Sequence, residues 1–395
     1  MKGFGTVSSR QPHIFISCGE ASGDRYGAAL AAALRSSWPE ARLSGMGGPL
    51  MRAMGVELVQ DPAEMAIMGF TEAAKALRKG LAIRRHLLEH IRSQGVTMVV
   101  PIDFPGFNGE IAAKARAAGL PVFWLVAPQH WAWGGWRSGG FRRKITRLGT
   151  LLPFEEEFFR ARGFDVFPMG HPLMEDYGGD FPLEESISDR ERRLSSRNEP
   201  LTIGILPGSR KQELKSLLPV LKVTGQALLG YLAGREAQFL VSCASGVDPI
   251  DLTEIFTIPA DISQAPLPEV LPRMDLALVC SGTASLETAL AGVPHELVYR
   301  TGAVNHFLAR LLVRTPHIGL SNLIMDPPLV REHIQGQASP LSLSRDLLRW
   351  LARPAERQEF YAGARRLRQR CGDVGVWKRT AAAIRELAGE NRVGA

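Results

Sequence analysis

Residues 204–210 read Gly-Ile-Leu-Pro-Gly-Ser-Arg, and they lie where a short apolar run gives way to a helical pattern that begins at Lys211. A strand, a tight turn and a helix start in this order point free backbone N–H groups at whatever lies above the turn. Gly208 lets the backbone approach a ligand closely, and the guanidinium of Arg210 suits a phosphate group. The stretch therefore predicts an anion site, and an ordinary turn with a solvated arginine is the alternative.

A second loop of the same kind follows another buried apolar run, and residues 281–287 read Ser-Gly-Thr-Ala-Ser-Leu-Glu. Ser281, Gly282 and Thr283 offer hydroxyl and N–H groups at a predicted helix start. Glu287 lies one turn into that helix, where it either reaches a sugar diol or only complements the helix dipole. Two such loops in one half of the chain predict a ligand that carries a diphosphate.

The N-terminal half shows the same alternation of buried strands and helical patterns. Residues 13–18 and 96–101 read as buried strands. The first leads into Gly19-Glu-Ala-Ser-Gly-Asp24, which is not the G-x-G-x-x-G fingerprint of a dinucleotide site. Because open α/β sheets bind ligands at the carboxyl ends of their strands, this loop is predicted to lie at a ligand site.

Asp103 follows the second of these strands, in the sequence Asp103-Phe-Pro-Gly-Phe-Asn108. Phe104 and Phe107 can exclude water from its carboxylate and raise its basicity, as a general base requires. The alternative is a helix cap, a position at which Asp is also favoured.

The segment between these two loops carries two further patterns. Residues 65–70, Met-Ala-Ile-Met-Gly-Phe, form an apolar patch that predicts either core packing or an adaptable surface for acyl chains. His86-Leu-Leu-Glu-His90 matches the H-x-x-E-H metal pattern, but Arg84, Arg85 and Arg92 surround it and would repel a cation. We therefore predict no metal site.

The 395 residues carry a net charge of +7 and are 45% hydrophobic and 22% charged. This composition is that of a globular protein, and the length predicts about two to three domains. The excess of arginine fits solvated helix faces or attraction to an anionic surface. Since no nucleic-acid module is visible, we expect a membrane surface and no nucleic acid. Four isolated cysteines and an N-terminus without an apolar core fit a cytoplasmic protein, and no cofactor is expected.

The clearest linker is the stretch 178–200, which is rich in Gly, Glu, Ser, Arg and Pro. The α/β pattern on either side predicts two doubly wound, Rossmann-like domains that face each other across a cleft. Residues 1–180 would form an acceptor-side domain and residues 200–340 a domain that binds the sugar nucleotide.

Missing motifs narrow the function. The chain has no G-x-x-x-x-G-K-[ST], no G-x-S-x-G and no Asp-x-Asp pair, which argues against P-loop NTPases, α/β-hydrolases and metal-dependent sugar-nucleotide transferases. A metal-free nucleotide-sugar transferase fits these absences. In such an enzyme the helix starts and Arg210 would stabilise the departing diphosphate, and a carboxylate of the other domain would deprotonate the acceptor hydroxyl.

Nine short stretches together resemble the lipid-A-disaccharide synthases, family 19 of the glycosyltransferases, and they appear in the family's order along nearly the whole chain. They are Gly19-Glu-Ala-Ser-Gly-Asp24, Met68-Gly-Phe70, Asp103-Phe-Pro-Gly-Phe-Asn108, Trp131-Ala-Trp133, Leu152-Pro-Phe-Glu155, Gly170-His-Pro172, Leu206-Pro-Gly-Ser-Arg210, Ser281-Gly-Thr-Ala-Ser-Leu-Glu287 and Leu320-Ser-Asn322.

The resemblance implies a GT-B fold with a C-terminal helix that returns to the N-terminal domain, and it implies that the helices of residues 341–395 pack back on that domain. It implies an inverting transfer from UDP-2,3-diacylglucosamine to 2,3-diacylglucosamine 1-phosphate, which gives a β-1,6-linked disaccharide phosphate and UDP. It also implies a cytoplasmic enzyme, peripheral on the inner face of the inner membrane, and a possible homodimer.

The resemblance assigns roles to residues as well. Asp103 matches the family's base, and Arg210 matches the residue on the diphosphate. With the two anion loops, the UDP-sugar side would comprise Ser209, Arg210, Ser281, Gly282, Thr283, Glu287, Asn322 and Gln335. The acceptor side would comprise Glu20, Ser22, Asp24, Met68 and Phe70.

Some stretches depart from the family pattern, chiefly Gln129-His130, the glycine-rich residues 134–140 and Pro327-Pro328. These departures bear on acceptor recognition and on one diphosphate contact. Two alternatives therefore stay open at this point. One is an enzyme like the UDP-N-acetylglucosamine 2-epimerases, and the other is a non-catalytic protein that binds UDP-sugar and lipid at a membrane.

Overall fold

The computed structural model describes residues 11–63, 73–232, 234–244, 246–253, 260–301 and 315–393. The chain divides into two compact units. Unit 1 contains the described residues up to Pro172 together with those from Gly375 onward, and unit 2 contains Leu173–Val374.

Unit 1 is built on a parallel sheet of seven strands in the order β3-β2-β1-β4-β5-β6-β7. The central strands β1 and β4 are buried along their whole length, which explains their continuous apolar sequences. The strands are β1 His13–Cys18, β2 Arg42–Met46, β3 Glu57–Gln60, β4 Met98–Ile102, β5 Phe123–Leu125, β6 Arg147–Thr150 and β7 Val166–Pro168.

The helices of unit 1 cover both faces of this sheet, with one apolar cluster around Leu30, Val100 and Ile384 and another around Phe15, Trp124 and Phe159. They are α1 Ala21–Ser37, α2 Pro49–Ala53, α3 Ala73–Ser93, α4 Pro105–Ala117, α5 Ser138–Arg142, α6 Pro153–Arg160 and, from the end of the chain, α16 Val376–Val393.

Unit 2 contains a second parallel sheet, of six strands in the order β10-β9-β8-β11-β12-β13. The strands are β8 Leu201–Leu206, β9 Ala237–Ser242, β10 Ala260–Ser263, β11 Leu276–Cys280, β12 His295–Tyr299 and β13 Glu332–Ile334.

The helices of unit 2 pack on this sheet around a single large apolar cluster that includes Ile203, Leu278 and Trp350. They are α7 Met174–Tyr177, α8 Leu183–Ser195, α9 Lys211–Tyr231, α10 Pro249–Thr253, α11 Leu267–Val270, α12 Thr283–Leu290, α13 Leu320–Ile324, α14 Pro340–Ala352 and α15 Pro354–Cys371.

Both sheets share the same topological feature. In each, the first strand lies between the second and the fourth, so the direction of winding reverses beside it. Cys18 pairs with Ile102 at this point in unit 1, and Leu206 pairs with Val279 in unit 2. Open α/β sheets bind ligands outside the carboxyl ends of the strands at such a switch point. The two doubly wound sheets agree with the Rossmann-like architecture that the sequence predicts.

The boundaries differ from the expected ones in two places. Residues 183–195, inside the expected linker, form helix α8, whose Leu183, Ile187 and Leu194 are buried in unit 2. The fully buried Arg190 of this helix donates to the carbonyl oxygens of Met274 and Gly292. The many charged residues conceal an apolar stripe at helical spacing, and such a stripe packs on a core.

The second difference concerns residues 341–395. Helices α14 and α15 belong to unit 2, where Trp350, Phe360 and Tyr361 join its core. Helix α16 alone lies in unit 1, with Ile384 and Leu387 buried in the cluster beside α1. None of the helices in the described part of the chain is both long and apolar enough to cross a membrane.

Candidate active site

Asp103 lies directly after β4 in a turn with an unusual backbone. The φ angles of Asp103 and Phe104 are 47° and 55°, in the left-handed region that residues with a Cβ rarely adopt. The backbone N–H of Asp103 donates to the carbonyl oxygen of Leu125 at 2.9 Å. Such strain costs of order 1–3 kcal/mol per residue and persists where neighbouring contacts impose it.

Asn108 supplies those contacts from inside the unit. Its fully buried Nδ2 group donates to the carbonyl oxygens of Asp103 at 2.9 Å, Ser17 at 3.1 Å and Ile102 at 3.3 Å. Its Oδ1 accepts the hydroxyl of Ser17 at 2.7 Å. One side chain therefore ties the ends of β1 and β4 to the turn that presents Asp103.

The carboxylate of Asp103 has a raised pKa. Desolvation is the largest cause and the negative charge of Glu20 adds to it, while a hydrogen bond from the N–H of Phe104 opposes it. The rings of Phe104 and Phe107 stack with centroids 5.7 Å apart. Since the side chain of Asp103 still reaches solvent, this is a basic carboxylate that a substrate can approach.

The loop after β1 contacts this turn. A Cβ on Gly19 would lie 2.3 Å from a ring carbon of Phe104, so Gly19 is required for the ring to pack there. Glu20 and Ser22 follow with exposed side chains at the start of α1. The sequence-predicted residues Glu20, Ser22 and Asp103 thus lie along one edge of unit 1.

Asp24 has another role than the predicted one. Its buried carboxylate accepts backbone N–H groups of Gly48 at 2.9 Å and of Leu50 and Met51 at 3.1 Å each. It therefore stabilises the start of α2 inside unit 1 instead of facing an acceptor. Met68 and Phe70 lie outside the described residues.

In unit 2, the loop after β8 contains the residues of the first predicted anion site. Gly208 has a φ of 96°, and a Cβ there would lie 2.9 Å from Oε2 of Glu213 and 3.2 Å from Sγ of Cys280. Ser209 and Arg210 are exposed at the start of α9. The Arg210 side chain is 82% exposed and its Nη1 donates to Oε1 of Glu213 at 3.1 Å.

The loop after β11 lies beside it, since β8 and β11 are neighbours. Gly282 precedes α12 with a φ of 152°, and Thr283 is exposed at the helix start. Ser281 Oγ donates to the carbonyl oxygen of Ile318 at 3.2 Å. The helix starts at Arg210 and Gly282 both lack a side-chain cap, so their first N–H groups are available to an anion.

Three predicted nucleotide-side residues have partners within unit 2. Glu287 Oε2 accepts the hydroxyl of Tyr177 at 2.9 Å. Gln335 bridges to the end of β12, where its amide exchanges hydrogen bonds with the backbone of Thr301. These two side chains lie near the carboxyl edge of the sheet and remain partly accessible.

Asn322 differs because it is buried and its amide is saturated. Its Oδ1 accepts the N–H groups of Leu329 and Val330, and its Nδ2 donates to Val330 O at 2.8 Å and to Glu332 Oε1 at 2.9 Å. Its role in the structure is to hold the loop before β13 against α13. Both lone pairs of its Oδ1 and both N–H groups of its Nδ2 thus have protein partners.

Sequence reasoning missed several partners of these residues. Tyr177 holds Glu287, and Glu213 holds Arg210. Glu155 holds residues 128–133, here called the aromatic loop, through a 3.1 Å hydrogen bond from Trp131 Nε1. Only Glu213 had a local signal, since it lies three residues after Arg210 on a helix face. Tyr177 is 110 positions away from Glu287 in the chain.

The H-x-x-E-H pattern is explained by packing. His90 Nε2 lies 3.0 Å from the hydroxyl of Ser44, which is also 2.7 Å from Nε2 of His13. Within the described ranges, no group of three or more His, Cys, Asp or Glu side chains is placed to hold a metal ion.

Comparison with known proteins decides the family. The model of the lipid-A-disaccharide synthetase family matches residues 14–379, a range that contains the loops of both units. The chain belongs to the lipid-A-disaccharide synthase family. The resemblance drawn from the nine sequence stretches is therefore confirmed.

Curated relatives support this assignment over full length. A lipid-A-disaccharide synthase of Syntrophus aciditrophicus is 34% identical over 378 residues, which are 93% of this chain and 96% of the relative. Another from Myxococcus xanthus is 33% identical over 385 residues, or 97% and 99% of the two chains. Among solved structures, the calicheamicin glycosyltransferase CalG4 covers 96% of this chain and 99% of its own with a TM-score of 0.59 and 18% identity. This lipid-A-disaccharide synthase family member thus has the GT-B fold of a glycosyltransferase.

Proposed function

We propose that the chain joins UDP-2,3-diacylglucosamine to 2,3-diacylglucosamine 1-phosphate, to give the β-1,6-linked lipid A disaccharide phosphate and UDP. The family match over residues 14–379 carries this proposal. The geometry supplies the chemistry that the reaction requires, because unit 1 presents a basic carboxylate and unit 2 presents two uncapped helix starts.

Asp103 is the base in this proposal. It takes the proton from the 6-hydroxyl of the acceptor while that oxygen attacks the anomeric carbon of the donor. The bond from this carbon to the diphosphate oxygen breaks on the opposite face, so the configuration inverts. The raised pKa of Asp103 supports the role, since a more basic carboxylate removes a hydroxyl proton more readily.

Arg210 and the two loops bind the UDP that leaves. The N–H groups after Ser209 and Gly282 and the guanidinium of Arg210 stabilise the charge that develops on the diphosphate. Ser281 and Thr283 add hydroxyl groups. Glu287 and Gln335 line the nucleotide side, and the Glu213 carboxylate orients the Arg210 fork.

The acceptor side is formed by Glu20 and Ser22 beside Asp103. The negative charge of Glu20 lies close enough to raise the pKa of Asp103, so it maintains the basicity of the proposed base as well. Met68 and Phe70 stay proposed contacts for acyl chains.

Association with the inner face of the inner membrane is a further part of the proposal. Trp133 and Trp136 are 43% and 86% exposed, and the guanidinium of Arg137 lies 5.1 and 5.9 Å from their rings. Tryptophan and arginine together favour the interface between lipid and water. Flotation with lipid vesicles measures this association, and the mass in solution measures whether a homodimer forms.

The first prediction concerns Asp103→Asn, which keeps the shape of the side chain and removes the base. We expect turnover to fall by at least about a hundredfold, the range in which general bases contribute, while UDP binding is unchanged. The assay contains both lipid substrates and follows UDP and disaccharide phosphate together.

A control variant and the amounts of the two products distinguish the candidate functions. Glu110→Gln is the control, because it makes the same change of carboxylate to amide at an exposed position of α4 to which the proposal assigns no role. Equal amounts of UDP and disaccharide from the wild type exclude an epimerase and a non-catalytic binder. Wild-type turnover in Asp103→Asn would overturn the assignment of Asp103 as the base. Release of UDP without disaccharide would overturn the assignment of 2,3-diacylglucosamine 1-phosphate as the acceptor.

A further inference from the structure

A cavity of about 330 Å³ lies at the amino ends of β6 and β7 in unit 1. Thr146 and Asp165, which precede these two strands, line it. Asp103 and Glu20 follow the carboxyl ends of β4 and β1, so the cavity lies at the opposite edge of the same parallel sheet. It is therefore separate from the acceptor-side residues.

Three arginines line this cavity. Arg116 is in the last turn of α4, Arg142 ends α5, and Arg143 follows it. None of the three forms an ion pair with a carboxylate in the part of the chain that the structure describes. The Nη1 group of Arg142 donates to the carbonyl oxygen of Gly163 at 3.3 Å.

The carboxylate of Asp165 is already paired. Its Oδ2 lies 2.8 Å from Nε of Arg147, so it does not neutralise the arginines around it. The lining thus keeps a strong positive charge, and the buried Phe164 and Ile145 contribute apolar surface. A concave, positively charged surface with low-dielectric walls concentrates anions.

Helix dipoles explain only part of this arrangement. A cation in the last turn of a helix interacts favourably with the helix dipole. This accounts for the position of Arg116 and for that of Arg142 when each is considered alone. The dipoles give no reason for arginines of two helices and a third beyond them to line one cavity, where they repel each other. A bound anion would remove that repulsion.

We propose that this cavity binds a phosphate-bearing group. Guanidinium forks match phosphate oxygens in geometry, and three of them exceed the charge of one phosphate dianion. The volume lies at the small end of cavities that hold small molecules, so it suits a phosphorylated head group. The phosphate can come from a soluble metabolite or from a lipid head group, and both have the same recognition chemistry. The inference does not depend on the proposed transferase reaction.

The test compares the wild type with R116Q/R142Q/R143Q. The control variant is R78Q/R84Q/R85Q, which removes the same three charges from α3. Binding of inorganic phosphate and pyrophosphate is measured by calorimetry with UDP present in excess, so that the nucleotide side of unit 2 is occupied. Flotation with phosphatidylglycerol vesicles is compared with flotation with neutral phosphatidylcholine vesicles.

We expect R116Q/R142Q/R143Q to lose at least about tenfold in affinity for phosphate and pyrophosphate or for the anionic vesicles, while R78Q/R84Q/R85Q keeps wild-type affinity. Loss confined to phosphate and pyrophosphate identifies a soluble ligand, and loss of flotation with the anionic vesicles identifies a lipid head group. The proposal is overturned if the wild type binds neither the two phosphate compounds nor the anionic vesicles. It is also overturned if both variants bind them as the wild type does. Circular dichroism of each variant checks that these exposed substitutions leave the fold intact.

Discussion

The position of Asp103 depends on a neighbour that does not touch substrate in the proposed reaction. Asn108 is fully buried, and its Nδ2 reaches three carbonyl oxygens around a backbone that would otherwise relax out of the left-handed region. Asn108 is thus a positioning residue. At the residue scale, the candidate site consists of the proposed base and of the amide that maintains its strained turn.

Asn108→Ala should show that Asn108 positions Asp103 and does not contribute to UDP binding. Removing Nδ2 leaves buried carbonyl groups unpaired, which costs about 1–3 kcal/mol for each group that water cannot reach. We expect a lower free energy of unfolding and a kcat at least about tenfold lower, because Asp103 shifts from its productive position. UDP binding should be unchanged, since Asn108 belongs to unit 1. Steady-state kinetics, UDP titration and urea unfolding measure the three quantities.

Ser17→Ala is the matched control for this variant. It removes the donor to Asn108 Oδ1 but leaves the three Nδ2 contacts in place. A smaller loss of stability is expected, because one hydrogen bond is removed instead of several, together with little loss of kcat. Equal effects of both substitutions on kcat would refute the positioning role.

At the scale of elements, Glu155 joins the start of α6 to the aromatic loop before α5. Its carboxylate accepts the N–H groups of Leu151 and Leu152 at 3.1 Å each and the indole N–H of Trp131. Burial nevertheless raises the pKa of Glu155 to about 7. The folded state therefore retains a proton that the unfolded chain releases near pH 4.5, so stability falls as the pH rises from about 4.5 to 7.

Glu155→Gln should remove this part of the pH dependence. At 1.36 kcal/mol per pKa unit, the free energy of unfolding of the variant should gain up to ~3 kcal/mol on the wild type between pH 4.5 and 7. Urea unfolding followed by tryptophan fluorescence at several pH values measures it. A constant difference between the two proteins across this range would contradict the raised pKa.

The sequence predicted elements better than side-chain partners, for a physical reason. Buried parallel strands and the loops after them have local signals, so the turns at Asp103, Gly208 and Gly282 could be located in advance. The partners of Asp24 and Asn322 lie on other elements, so the hydrogen bonds of this carboxylate and this amide could not be inferred from local pattern. Helix α8 was missed because three arginines and four acidic residues conceal three apolar residues.

At the scale of the whole molecule, buried histidines in both units make the folded state less stable as the pH falls. Burial lowers the pKa of His130 and His171 in unit 1 and of His295 in unit 2 to about 4 each. The unfolded chain binds these protons near pH 6.5, so stability is complete above that pH and is lost as the pH falls toward 4. Glu155 has the opposite effect on stability, because its raised pKa means that one proton is released on unfolding in this pH range.

On unfolding, unit 1 takes up about one net proton through His130, His171 and Glu155, and unit 2 takes up about one through His295, so each unit should lose ~1.4 kcal/mol of stability per pH unit between pH 6 and 5. Because domains are stable by about 5–15 kcal/mol, this loss weakens each unit without unfolding it by itself. Urea unfolding at several pH values, followed by circular dichroism, measures the loss. His295→Gln should make the titration of unit 2 less steep, since its Nδ1 contact with Val293 O can be kept by an amide while the titrating proton is removed. The exposed His86→Gln is the control, and an equal change in both variants would show that burial of His295 is not the cause.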